Sequence, residues 1–206
     1  MQYPWIVLDG IEGVGKTTLC DYLADILKAK VISTNSRGEI AKAVRTRFKD
    51  PTKPAFDDGV NIFLMGSTIL ETYNDFIKSQ TQDSVVISDR WLASTYASQV
   101  HNSFDVMTYQ LYDILANHML DRKPDLYILC TCPLDIINER VIKRGRNDRL
   151  DNLDNNHKAK LIDGYEHWYD IYDGEKIKLD CSGNLEEVKK NLASMTLDHL
   201  LARSGY

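Results

Sequence analysis

Eight residues near the start of the chain, Gly10-Ile11-Glu12-Gly13-Val14-Gly15-Lys16-Thr17, have the types and spacing needed to grip a polyphosphate. They fit G-x-x-x-x-G-K-[ST] at every fixed position. Gly10, Gly13 and Gly15 let the backbone wrap closely and turn its N–H groups inward on an anion. Lys16 is placed to reach the β- and γ-phosphates of ATP, and the Thr17 hydroxyl to hold Mg²⁺. A helix beginning here adds its positive N-terminal end.

Two further groups suit the same chemistry. Asp89-Arg90 follows the apolar run Val85-Val86-Ile87-Ser88. A carboxylate at a strand tip beside a phosphate loop organises Mg²⁺, and the adjoining guanidinium can take a second phosphate through two hydrogen bonds. Ser94, Tyr96 and Gln99 follow on the next helical stretch. Later, Arg140 and Arg144 lie four apart and so on one helical face, and Gly145 breaks that helix. Arg144, Arg146 and Arg149 then crowd beside the glycine, which suits a flap that closes over phosphates and stabilises the transferring group. The interspersed acids of 148–154 argue against a nucleic-acid patch.

The elements that must position these groups are legible as alternation. Strands are expected at Trp5–Asp9, Val31–Thr34, Val85–Ser88, Leu126–Cys130 and Lys176–Leu179, with helices between them. Such alternation makes an α/β fold with a parallel sheet covered on both faces, and its ligands lie beyond the carboxyl ends of the strands. One helix is expected from Glu39 to Phe48, ending before Pro51. A longer one should run from about Asp58 to Lys78, with Val60, Phe63, Leu64, Ile69, Leu70, Tyr73, Phe76 and Ile77 mostly on one face as core. Asn184 reads as an N-cap before the acidic turn Glu186-Glu187.

The 206 residues suffice for one domain, 1–206, with a full core. A net charge of −5 speaks against sequence-independent nucleic-acid binding but leaves room for a local basic cleft. No apolar run approaches the ~18 residues of a membrane span, and no basic-then-apolar start marks a signal peptide. A cytoplasmic protein with no membrane partner is therefore expected. Cys20, Cys130, Cys132 and Cys181 have no metal-ligand spacing and are read as buried thiols.

Together these motifs resemble the thymidylate kinases among the P-loop nucleoside monophosphate kinases. The loop 9–18 resembles that family's E-G-x-[DE]-G-x-G-K-[ST]-T, and Asp89-Arg90 through Ser94 to Gln99 resembles D-R-x-x-x-S-x-x-A-[YF]-Q. Pro124-Asp125-Leu126, then Arg140, Arg144-Gly145 and Asp148-Arg149-Leu150-Asp151 follow its P-D-L…R-x-x-x-R-G-x-x-D-R-x-[DE]. Asp180-Cys181-Ser182 with Leu185-Glu186-Glu187-Val188 is similar to D-A-S-x-x-[LI]-E-[ED]-V. The resemblance covers nearly the whole chain. It implies a P-loop NTPase fold with a five-stranded parallel sheet and a short arginine-rich lid at about 144–157.

It also implies roles. ATP would sit on Gly10, Gly13, Val14, Gly15, Lys16, Thr17 and Thr18, with adenine near Arg140 and Cys181. The acceptor would meet Glu12 at its sugar and Arg90 at its phosphate, with Arg37, Ser94, Tyr96 and Gln99 around it. Lys16, Arg144, Arg146 and Arg149 would be catalytic, and Thr17 and Asp89 would hold Mg²⁺. With Gly13 inside the loop and arginines in the flap, the chain resembles the bacterial arrangement. A homodimer follows only by analogy.

Three departures bear on the base. The segment after the second strand is Thr34-Asn35-Ser36-Arg37-Gly38, shorter than the family's T-R-E-P-G-G-T. No arginine stands between Arg47 and Arg90, where the family reads thymine. Ser98 replaces the aromatic under the deoxyribose, with Tyr96 as a substitute. The leading expectation is ATP-dependent phosphorylation of dTMP. The second is another or a modified nucleoside monophosphate. A nucleoside or nucleic-acid-end kinase is third; such kinases tend to have Glu-Arg-Ser where this chain has Asp89-Arg90-Trp91. A nucleotide-binding protein without turnover is last, since Lys16, Thr17, Asp89 and the flap arginines are intact.

Overall fold

Five short apolar segments pair into one parallel sheet in a computed structural model that describes residues 3–34, 37–50, 52–54, 56–78, 84–103, 105–145 and 153–204. The strands are β1 (Trp5–Asp9), β2 (Lys30–Ser33), β3 (Val86–Asp89), β4 (Leu126–Thr131) and β5 (Lys176–Asp180), in the order β2-β3-β1-β4-β5. All four pairings are parallel. Every residue of central β1 is buried, which is why it reads as a continuous apolar run. The expected strands are all present, each shifted or extended by no more than one residue.

The helices are α1 (Lys16–Leu27), α2 (Glu39–Lys49), α3 (Asp58–Thr72), α4 (Leu92–Thr95), α5 (Val106–Ile114), α6 (Leu134–Arg144), α7 (Asn155–Ile171) and α8 (Leu185–Ser204). α3, α4 and α5 each continue into a π-helical turn, at Tyr73–Lys78, Tyr96–Val100 and Leu115–Met119. Local chemistry sets their ends. Asp57, Asp105 and Asp154 accept backbone N–H groups at the starts of α3, α5 and α7. Asn184 Oδ1 accepts from Glu186 N at 2.9 Å, as its N-cap position predicts. The start of α2 is satisfied from outside, by Glu71 of α3, whose carboxylate accepts from Ile40 N and Ala41 N.

One expectation about α3 is corrected. Its buried stripe runs through Ile62, Ile69, Tyr73 and Ile77, whereas Val60 and Phe63 are 39% and 62% exposed. Phe63 lies about 100° around the helix from Ile62, so it leaves the stripe and faces solvent. The four cysteines are all buried and free. No described helix is long and apolar enough to cross a membrane.

Candidate active site

The sheet delivers three groups to one end: the loop after β1, Asp89-Arg90 at the tip of β3, and the turns after β4 and β5. Asp9, the last residue of β1, fastens the first two together. Fully buried, it accepts from Gly10 N at 2.9 Å and Ser94 Oγ at 2.5 Å through Oδ1. Its Oδ2 accepts from Trp91 N at 2.9 Å, Ser94 N at 3.2 Å and Tyr127 Oη at 2.5 Å. A buried carboxylate with this many donors is a satisfied one. It fixes the phosphate loop relative to the segment that carries Arg90.

The loop itself needs its glycines. Gly10 has φ 142°, and a Cβ there would stand 2.4 Å from the Cys130 carbonyl oxygen. Gly13 has φ 88°, and a Cβ there would press on Val141 and Ile137 of α6 at 3.0 and 3.2 Å. In this conformation the loop has no room for a side chain at that point. The Lys16 ammonium is folded back, donating to Gly10 O and Ile11 O at 2.8 Å each. Burial pushes Lys16 down from the ordinary lysine range, and the Arg90 charge adds to this.

Thr17 Oγ1 donates to Asp89 Oδ2 at 2.9 Å. The sequence placed Mg²⁺ on these two residues. A hydroxyl beside a carboxylate suits that hard cation, which takes few protein ligands and completes its shell with phosphates and water.

Arg90 sits at the centre of the site. Its Nη2 donates to Glu12 Oε2 at 2.6 Å, and its Nη1 reaches Gly10 O at 3.1 Å, Ser94 Oγ at 3.0 Å and Tyr165 Oη at 3.1 Å. Its backbone has φ 78°, an uncommon conformation outside glycine. Thr34 Oγ1 holds that strained turn by donating to Arg90 O at 2.7 Å. On the other side of Glu12, Arg144 Nη1 donates to Oε1 at 3.0 Å. Burial raises the Glu12 pKa, but Arg90, Lys16 and Arg144 outweigh it and hold the carboxyl at about 2. Arg90 itself is pushed above the ordinary arginine range: burial works against its charge, and Tyr165, Glu12, Asp9 and Asp89 more than offset it.

Two recesses flank the loop. One is lined by Val14, Thr18, Arg140, Cys181, Gly183 and Leu185. Arg140 closes it, donating to Cys181 O at 2.8 Å and Val14 O at 3.3 Å. The other is a cavity between α2, α3, α4 and α7, with Glu12, Arg90, Ser94 and Gln99 on its walls together with Arg45, Thr68, Ser98, Lys158 and Tyr165.

Most sequence-predicted residues therefore converge, but two do not. Arg37 donates to Val31 O and lies over the Phe76 ring at 5.3 Å, and it does not line the cavity between α2, α3, α4 and α7. The Tyr96 hydroxyl is 2.8 Å from His167 Nδ1 and its ring packs edge-on against Tyr112, so it is no substitute wall. Ser94 and Ser98, one turn apart, face the cavity, and Tyr96 lies on the opposite side of that turn. Arg146 and Arg149 fall outside the described residues. Tyr165 and the fastening role of Asp9 were not anticipated. An ionisable residue closing an apolar strand was the one available signal, and it pointed to Asp9.

A family model described as thymidylate kinase matches residues 8–192. A thymidylate kinase of Marinomonas sp. (strain MWYL1) is 29% identical over 201 residues, covering 93% of each chain. A probable thymidylate kinase of Archaeoglobus fulgidus is 27% identical, covering 91% of each. Among solved structures, thymidylate kinase of Candida albicans superposes with a TM-score of 0.76 at 20% identity, covering 96% of this chain and 93% of that one. That of Ehrlichia chaffeensis gives 0.69 at 18%, covering 96% and 99%.

Proposed function

The chain belongs to the thymidylate kinase family, and from that membership we propose how its residues divide the work of moving the γ-phosphoryl of ATP onto dTMP to give dTDP. The observation that carries the proposal is the Arg90–Glu12 contact, which sits between the recess at Arg140 and the cavity at Gln99. Two ligand sites on either side of one phosphate loop are what transfer between two nucleotides requires.

ATP lies with its base against Arg140 and its phosphates on Gly10–Thr18. Lys16 exchanges its two loop carbonyls for phosphate oxygens, gaining charge-assisted bonds where it had neutral ones. Bound by Thr17 and Asp89, Mg²⁺ would neutralise charge on the phosphates. Arg90 takes the acceptor phosphate, and Ser94 and Tyr165 hold the guanidinium in place for it. Glu12 meets the acceptor sugar. The lid at about 144–157 brings Arg144, Arg146 and Arg149 over the transferring group, where positive charge stabilises the spreading negative charge.

A cytoplasmic location and a homodimer are carried over from the family. The exposed Phe63 on α3 and the exposed Val106 and Tyr109 on α5, a helix packed beside it, support a second copy. ATP consumption measured against a panel of nucleoside monophosphates and nucleosides tests the whole assignment. Turnover of dTMP with none of thymidine supports it, and the reverse pattern overturns it.

A further inference from the structure

α2 and α3 run antiparallel along the acceptor cavity. The first turn of α2 donates its N–H groups to Glu71, near the end of α3. Its last turn meets the residues leading into α3: Arg47 donates to Pro54 O at 2.9 Å, and the Phe48 and Phe56 rings are 5.9 Å apart. Ala41, Val44, Arg45 and Phe48 all line the cavity, and their spacing puts them on one face of α2. Arg45, one turn beyond Ala41, is therefore level with the middle of α3, where Met65 lines the same cavity.

The cavity has two unlike ends. Glu12, Arg90 and Ser94 make the end at the phosphate loop polar, whereas Val44, Phe48, Met65 and Ile69 make the end between α2 and α3 apolar. A nucleoside monophosphate is divided in the same way, so its phosphate belongs at the loop and its base between α2 and α3.

Most basic side chains on the cavity are already engaged. Arg90 donates to Glu12 Oε2 at 2.6 Å, Lys158 donates to Asn138 Oδ1 at 2.8 Å, and Lys49 has a partner as well. Arg45 makes no hydrogen bond or ion pair with any described residue. It is half-buried at the apolar end, with five N–H donors unspent. A charged donor in such surroundings makes a strong hydrogen bond to a neutral acceptor, and the acceptors that a pyrimidine brings there are its ring carbonyls.

We propose that Arg45 is a ligand of the acceptor's base, donating from α2 to a ring carbonyl of the pyrimidine. The inference rests on the cavity being the acceptor site, as assigned under the proposed function.

Calorimetry on the full chain without ATP tests it, with dTMP and thymidine as probes. Arg45 bonds no described residue, so Arg45→Met should fold, which its thermal midpoint checks. It should weaken dTMP and thymidine by the same factor, about tenfold, because both carry the base. Arg90→Ala should weaken dTMP far more than thymidine, because only dTMP carries the phosphate. If Arg90→Ala behaves so while Arg45→Met changes neither Kd, or weakens dTMP alone, the base contact is refuted and the acceptor site stands. If neither variant changes dTMP binding, the cavity is not the acceptor site and both readings fall.

Discussion

Arg90 Nη2 lies 2.6 Å from Glu12 Oε2, so the residue expected to hold the acceptor phosphate is itself held by the phosphate loop. The guanidinium is aimed before any ligand arrives. Arg90→Ala should raise the acceptor KM at least tenfold more than the ATP KM, since charge-assisted phosphate contacts are among the strong ones. Steady-state kinetics with each substrate varied in turn decide this, and equal rises in both KM values would refute the assignment.

Glu12 links pH to stability. Its pKa of about 2 lies below the ordinary 4.5, because Arg90, Lys16 and Arg144 together outweigh burial. Its contribution is therefore complete above about pH 4.5 and is lost as the pH falls toward 2. Glu12→Gln should cost about 1–3 kcal/mol at pH 7, after allowance for partial exposure. The gap to the native chain should narrow below pH 4.5. Urea unfolding at several pH values follows that gap, and one that stays constant down to pH 3 would contradict the coupling.

Lys16→Ala should abolish nearly all transfer while the fold persists. Among the described residues the ammonium bonds only loop carbonyls, so its loss removes little that nucleotide binding does not already displace. Losing a charge on the transferring group typically costs ~3–4 kcal/mol, or about 10²–10³ in kcat. Near-normal turnover by a folded variant would remove the phosphate loop from the mechanism.

The lid arginines should act on the transition state. Arg144→Ala or Arg149→Ala is expected to lower kcat by more than either KM changes, because a closing arginine binds best when charge spreads over the moving group. A pure KM effect would make the lid a substrate clamp.

What could be read from the sequence was what one element carries by itself. The loop, the strand-end Asp89-Arg90 pair and the Arg140 face depend on spacing within a few residues, and the structure places them together. Tyr165 meets Arg90 across 75 positions and Asp9 meets Ser94 across 85, and no local pattern encodes such meetings. Tyr96 was legible and was misjudged: two positions past Ser94 is the far side of a helical turn. Arg37 depended on a resemblance in the segment where this chain departs from the pattern.

Arg90 also carries backbone strain at the centre of the site. Its φ of 78° would suit glycine better than any side chain, and the left-handed conformation costs a non-glycine residue roughly 1–2 kcal/mol. Arg90→Gly and Arg90→Ala lose the same guanidinium, but only the first relaxes the backbone. The glycine variant should be the more stable of the two by about 1 kcal/mol, read as a difference in thermal midpoint, and equally impaired in acceptor binding. Neither variant should match the native chain, because both lose the guanidinium's bonds to Glu12, Gly10 O and Ser94. The arginine endures there because the turn that strains it is also the turn that points it at the substrate.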